Sequence, residues 1–276
     1  AFLVKLNSSG IRVWGTYYGG ISADKGNDIS FDSDNNVYLV GVTGSYGNIA
    51  TSNTHQPSHA PGYLDDDGFI AKFTTQGIRV WGTYFGGTDG DQIFSSNISD
   101  DGFLYVTGNT RSTNGISTSN SYQPNMIGFA SGMIAKFTLD GQRVWGTYFS
   151  GNTSATITKS KINNNLLYFT GITNSHDNLK SAGTFNENFI MLPLNLDFSS
   201  YISKFNVTTQ SLVWGTYFGE VIQDLKVNSN NKIFITGCTD QVTGIATAGS
   251  YSSSIQRQDA YLIKLNEIGQ REWGTY

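Results

Sequence analysis

The chain has 276 residues with a net charge of −4, which speaks against general nucleic-acid or anionic-membrane binding, because both need a basic footprint. Charged residues make up 14% against 38% hydrophobic and 13% aromatic, a balance that argues for a packed core and against disorder. The single cysteine, Cys238, excludes an intrachain disulfide framework, and no run of eighteen apolar residues marks a membrane-spanning helix.

The chain opens directly in a strand-like segment, Ala1-Phe-Leu-Val-Lys5, without an initiator Met or a signal peptide. A removed leader or excision from a longer protein is expected. The first complete unit then reads as four strands, near 28–31, 37–41, 69–73 and 78–84. Turn residues separate them: Asp32-Ser-Asp-Asn-Asn36 between strands one and two, and Thr74-Thr-Gln-Gly77 between strands three and four. The runs are β-branched and aromatic with partial alternation, and no amphipathic helical pattern of useful length is present.

Three patterns repeat in fixed order. Trp-Gly-Thr-Tyr starts at Trp14, Trp81, Trp145, Trp214 and Trp273, at spacings of 67, 64, 69 and 59 residues. An aromatic-x-(Val/Thr)-Gly-x-Thr pattern starts at Tyr38, Tyr105, Tyr168 and Phe234. A lysine closes a short apolar run at Lys5, Lys72, Lys136, Lys204 and Lys264. Four antiparallel strands recurring in this way are the signature of a β-propeller blade. The predicted fold is therefore all-β, a β-propeller of four-stranded antiparallel blades with about four and a half blades present. They divide as a half blade at 1–20 and blades at 21–87, 88–151, 152–219 and 220–276, all in one propeller domain. The connections between strands two and three hold 25, 22, 27 and 21 residues. Lengths beyond ordinary connections predict loops that are functional or carry structure of their own. The aligned Ile49-Ala-Thr, Ile116-Ser-Thr and Ile245-Ala-Thr mark part of each loop as scaffold.

Units such as Asp67-Gly-Phe-Ile-Ala-Lys-Phe followed by Gly77-Ile-Arg-Val-Trp-Gly-Thr-Tyr-Phe-Gly-Gly87, and Asp34-Asn-Asn-Val-Tyr-Leu-Val-Gly41, resemble the SBBP β-propeller repeat over essentially the whole chain. The resemblance implies a seven-bladed type of propeller. It also implies a large secreted or cell-surface bacterial protein, similar to those exported by type IX secretion. It carries no catalytic residues. Two departures stand out: Leu212 replaces the Arg found at Arg12, Arg79, Arg143 and Arg271, and Ser150 and Glu220 interrupt the Gly-Gly after the tetrapeptide.

Residues repeated in every unit usually serve the repeat, so the tryptophans are assigned to packing and the lysines to solvated or apolar-lying positions. Asp24, Asp28, Asp89 and Asp91 are expected in loops between blades, and Asp65-Asp66-Asp67 just before a strand. Oxygen-rich loops can take Ca²⁺, but turn chemistry explains these residues better, and no cofactor, metal or catalytic residue is assigned. Cys238 is expected as a small buried filler. The candidate ligand or partner loops are those holding His55, His59, Asp65 and Asp66, and those holding Phe189, Met191, Leu192 and Leu194. The expected role is a non-enzymatic secreted or surface binding module acting through its long-loop face on a protein or glycan surface, with secretion machinery or other surface proteins as further partners and no nucleic acid or membrane insertion. The competing readings are a structural spacer of an adhesin, a type IX secretion-associated component, and a carbohydrate-active enzyme. The last would need paired carboxylates.

Overall fold

The computed structural model describes residues 1–62, 66–192, 197–255 and 257–276. Among these the chain is all-β, with eighteen strands: β1 Phe2–Leu6, β2 Arg12–Tyr17, β3 Asp24–Phe31, β4 Val37–Thr43, β5 Asp67–Phe73, β6 Arg79–Phe85, β7 Asp91–Ile98, β8 Phe103–Thr110, β9 Ser131–Thr138, β10 Arg143–Phe149, β11 Lys159–Asn163, β12 Leu166–Thr173, β13 Ser199–Asn206, β14 Ser211–Phe218, β15 Val221–Val227, β16 Ile233–Thr239, β17 Asp259–Leu265 and β18 Arg271–Thr275. They form one two-stranded and four four-stranded sheets, each an antiparallel meander in chain order, as β-propeller blades are. The chain falls into two compact units. One holds 1–126 and 130–149, with β1 to β10; the other holds 127–129 and 150–276, with β11 to β18.

Each residue of Trp-Gly-Thr-Tyr has a separate structural task. The residue before the tryptophan is bulged: Arg79 pairs with Phe73 and Trp81 with Lys72, so Val80 has no partner and lies exposed. The same shift occurs in all five strand-three/strand-four pairs. A bulge twists the strand locally, and the indole reaches the following blade. The Trp14 Nε1 donates to Thr75 O at 3.0 Å, Trp81 Nε1 to Leu139 O at 3.0 Å and Trp214 Nε1 to Glu267 O at 2.9 Å. The accepting turns contain Gly77, Gly141 and Gly269, at φ of +80°, +83° and +80°. A methyl group on any of them would meet that indole at 2.8 to 3.0 Å. These turns thus need glycine twice, for the left-handed backbone and for the tryptophan above it.

The remaining three residues fasten the long loop. A methyl group at Gly82 would stand 2.2 Å from Ile49 O, and Gly146, Gly215 and Gly274 are equally crowded by Ile116, Leu179 and Ile245. The Thr83 hydroxyl accepts from Gln56 N–H at 2.8 Å and lies 3.2 Å from its carbonyl; Thr147 with Gln123, Thr216 with Asn186 and Thr275 with Ser252 repeat this. The hydroxyls of Tyr84, Tyr148, Tyr217 and Tyr276 donate to carbonyls just after strand two, at Ser45, Ser112, Ser175 and Gln241. With Thr51 N–H on Gly82 O and Tyr84 N–H on Gln56 O, the first half of the loop runs along strand four. It covers the edge that an isolated sheet would leave unpaired.

Three expectations need correction. Strand one is longer than predicted, so Asp24, Asp28 and Asp91 are strand residues rather than loop residues, and Asp67 opens β5. These strands are polar because local donors satisfy their side chains: Asp24 accepts from Gly20 N–H at 2.9 Å and from the hydroxyls of Thr43 and Ser45. Cys238 is half-buried rather than a buried filler, with Gln223 Nε2 3.8 Å from its sulfur. The lysines are solvated unequally: Lys5 is exposed, whereas the inner ones are partly covered. Lys72, Lys136 and Lys204 lie 5.2 to 5.5 Å from the strand-two tyrosine rings of their own blades, and Lys204 is buried. Part of each long loop is scaffold, as the aligned Ile-Ala-Thr and Ile-Ser-Thr segments imply.

Candidate functional site

With the repeated residues occupied by the scaffold, chemistry has to come from positions that differ between blades. These gather where the return half of each long loop meets the link from strand four to the next strand one. In the first unit, residues 55–61, 86–88 and 114–115 border a shallow cleft of about 510 Å³. A polar cleft of about 210 Å³ lies among Asp66, Gly90, Gln92, Asn109 and Arg111. In the second unit, a cleft of about 220 Å³ is bordered by Phe185, Ile190, Met191, Phe218 and Glu220, among others.

The expected site residues divide between these places. The His55 ring lies against Phe85 and Phe137 at 6.0 and 5.7 Å, and burial, with Arg143 nearby, pushes its pKa down to about 4. His59 is buried, stacked on Tyr46 at 4.4 Å and edge-on to Tyr84 at 5.4 Å. Phe189 takes the equivalent seat in the second unit, stacked on His176 at 4.0 Å and edge-on to Tyr217 at 5.5 Å. Both rings plug the base of their own loop. Leu192 is buried, its N–H donating to Phe198 O at 2.7 Å. Met191 is 53% exposed and borders the second unit's cleft. Asp66 borders the polar cleft, and its carbonyl accepts from Asp91 N–H. Asp65 and Leu194 lie outside the described residues. The two histidines border one cleft through different packing and do not converge. Among the described residues, no three His, Cys, Asp or Glu side chains are arranged to hold a metal ion. At the Asp32–Asn36 turn, the Asp32 carboxylate is taken by Asn36, Asp34 N–H, Tyr38 and Lys72.

Sequence reasoning missed three buried acids. Asp67 and Asp91 flank the Gly86 backbone, where a methyl group would meet Asp67 Oδ1 at 2.4 Å and Asp91 Oδ2 at 2.7 Å. Asp67 Oδ2 accepts from Ala60 N–H at 2.8 Å and Gln56 Nε2 at 3.1 Å, and His59 Nδ1 lies 3.8 Å away. Asp91 Oδ2 accepts from Gly87 N–H at 2.7 Å and Ser112 Oγ at 2.8 Å, and the Thr110 hydroxyl also acts on the carboxyl. Burial drives both carboxyls up, Asp91 to about 7. They are 1% and 0% exposed and border none of the three clefts. The third acid, Glu220, is 4% exposed with Oε2 unpartnered. The available signal was positional: Ser131 and Ser199 open the strands equivalent to β5 in the next two blades, and Glu220 stands where a glycine follows the tetrapeptide elsewhere.

No curated protein sequence matches the chain. Among solved structures it is similar to the acylaminoacyl peptidase of Pyrococcus horikoshii (12% identity, TM-score 0.45, 91% of this chain and 32% of that one). It is also similar to the Dos1 propeller (11%, 0.36, 99% and 60%) and to an apocarotenoid oxygenase variant of Synechocystis (12%, 0.41, 97% and 54%). The chain thus spans between about a third and three fifths of the length of these three structures. Residues 13–48, from the bulge of β2 through β3 and β4, match the family described as the SBBP beta-propeller repeat, so the chain carries that repeat.

Proposed function

We propose that this chain is a non-enzymatic binding module that engages a protein or glycan surface through the clefts beside its long loops. The observation that supports this reading is the division of labour within the repeat. Trp, Gly, Thr and Tyr are each tied to packing or to loop fastening, whereas the residues that vary between blades border the clefts. Rigid scaffolds place recognition on such variable loop residues. The buried Asp67–Asp91 pair supports a structural rather than a hydrolytic role, since both carboxyls are sealed. An extracellular or cell-surface setting, with type IX export, is the part of the proposal that rests on the wording of the repeat alone.

The test is binding to a defined panel of glycans and peptides. Any ligand found should lose affinity in Ser58→Arg or Met191→Arg, which alter the clefts, and keep it in Ile78→Arg, in the exposed turn at the opposite end of its blade. A ligand indifferent to both cleft variants would refute the assignment, and turnover of any panel glycan would favour the enzyme reading.

A further inference from the structure

Glu220 lies in the link between β14 and β15, with Asp240 close enough to act on it electrostatically. The Thr239 hydroxyl acts on its carboxyl, while Oε2 meets no donor. A buried carboxylate oxygen without a partner is costly in an unliganded fold. The residue also borders the 220 Å³ cleft, whose other walls include Phe185, Ile190, Met191 and Phe218. Among the described residues no cation forms an ion pair with Glu220. The Arg271 guanidinium, which lies 5.0 Å from the Phe185 ring of the cleft wall, is spent on the carbonyls of Gly244 and Ile245.

We propose that this cleft takes the side chain of a lysine from a protein partner, with the ammonium on Glu220 and the four-carbon stem along the apolar walls. The inference rests on the reading of the chain as a binding module and names what one cleft recognises. A single free carboxylate oxygen suits the point charge of an ammonium better than the two-pronged guanidinium, which favours both oxygens of a carboxylate. The amides of Asn186 and Gln241, which also border the cleft, offer acceptors for the remaining ammonium protons.

The chain has three methionines, Met126, Met133 and Met191. Methyl-labelled protein therefore gives three signals, of which Met191 reports the cleft. The probes are the blocked tripeptides acetyl-Ala-Lys-Ala-amide and acetyl-Ala-norleucine-Ala-amide. The expected result is a saturable shift of Met191 with the lysine peptide, at least about tenfold weaker with norleucine or in Glu220→Gln, with Met126 and Met133 unmoved. Equal affinity for norleucine, or undiminished affinity in Glu220→Gln, overturns the lysine pocket. So does the absence of any Met191 shift. The norleucine comparison uses the unaltered protein, so the test stands even if Glu220→Gln does not fold. These failures leave the wider binding reading intact, since that reading fails only when a panel ligand ignores every cleft variant.

Discussion

The Thr147 hydroxyl accepts from Gln123 N–H at 2.8 Å, and the Gln123 carbonyl is also bonded by Tyr148 N–H, so Thr147→Val strands the buried Gln123 N–H at nearly constant volume. It should cost about 1–3 kcal/mol in urea unfolding. Gly141→Ala combines a left-handed backbone with the indole of Trp81 at 3.0 Å. Gly10→Ala has the same kind of backbone, φ +76°, and open space around it. The second variant should lose about 1–2 kcal/mol from backbone strain alone, and Gly141→Ala should lose more; equal losses would deny the tryptophan contact. Asp91 has a signed pH effect. Its carboxyl is raised from 3.8 to about 7 by burial, against the opposing bonds from Thr110, Gly87 and Ser112. The folded state therefore favours the protonated form. The stability linked to this group is full below about pH 4 and is lost as pH rises to about 7, by roughly 4 kcal/mol for an isolated group. Asp91→Asn keeps an acceptor for Gly87 and Ser112 and should flatten that stretch of the stability–pH curve. An unchanged slope would remove Asp91 as its source.

At the scale of the element, the long loops matter more as edge covers than as free appendages. The amides of Thr51, Gln56, Thr118 and Gln123 are bonded to strand four of their blades. Hydrogen exchange should find them protected like strand amides, while those of Ser58 and Gly62 exchange quickly. Uniform exchange through 51–62 would contradict the covering role. Arg79, Arg143 and Arg271 reach the same loops, each donating to two successive carbonyls. Leu212 makes no such bond in the third complete blade, so restoring Arg there should raise stability by up to about 1 kcal/mol. Blade number, strand order and the packing role of tryptophan were legible in the sequence because Trp-Gly-Thr-Tyr has one structural solution and repeats it. The full length of the first strands was not, because these strands are themselves bulged at Asn27 and Phe94. Their polar faces also look inward to other strands: Asn27 Nδ2 donates to Ile93 O, and Ser96 N–H to Asp28. Alternation alone reads such residues as loop.

For the chain as a whole, electrostatics carry little of the stability. The eight ion pairs among the described residues are mostly exposed or involve a histidine. Raising salt from about 0.05 to about 0.5 M should therefore shift the unfolding free energy by less than about 1 kcal/mol; a larger shift would mean that the partly buried Lys72–Asp32 pair counts for more than its place suggests. The candidate site was less legible than the fold for a reason of the same scale. His59 and Phe189 differ in chemistry but share a seat, which only the neighbouring tyrosines reveal, and Glu220 acquires meaning only when the walls around it are known. The tryptophans have a practical consequence. Each sheet contains one, at the same bulge, and Trp81, Trp145 and Trp214 are 7, 7 and 5% exposed whereas Trp14 and Trp273 are half-buried. Variants keeping a single indole, the others changed to Phe, would give a blade-by-blade fluorescence readout. Emission should be bluer from the three sheltered rings than from the outer two, so that the order in which the blades come apart can be followed by colour in one fluorimeter cell.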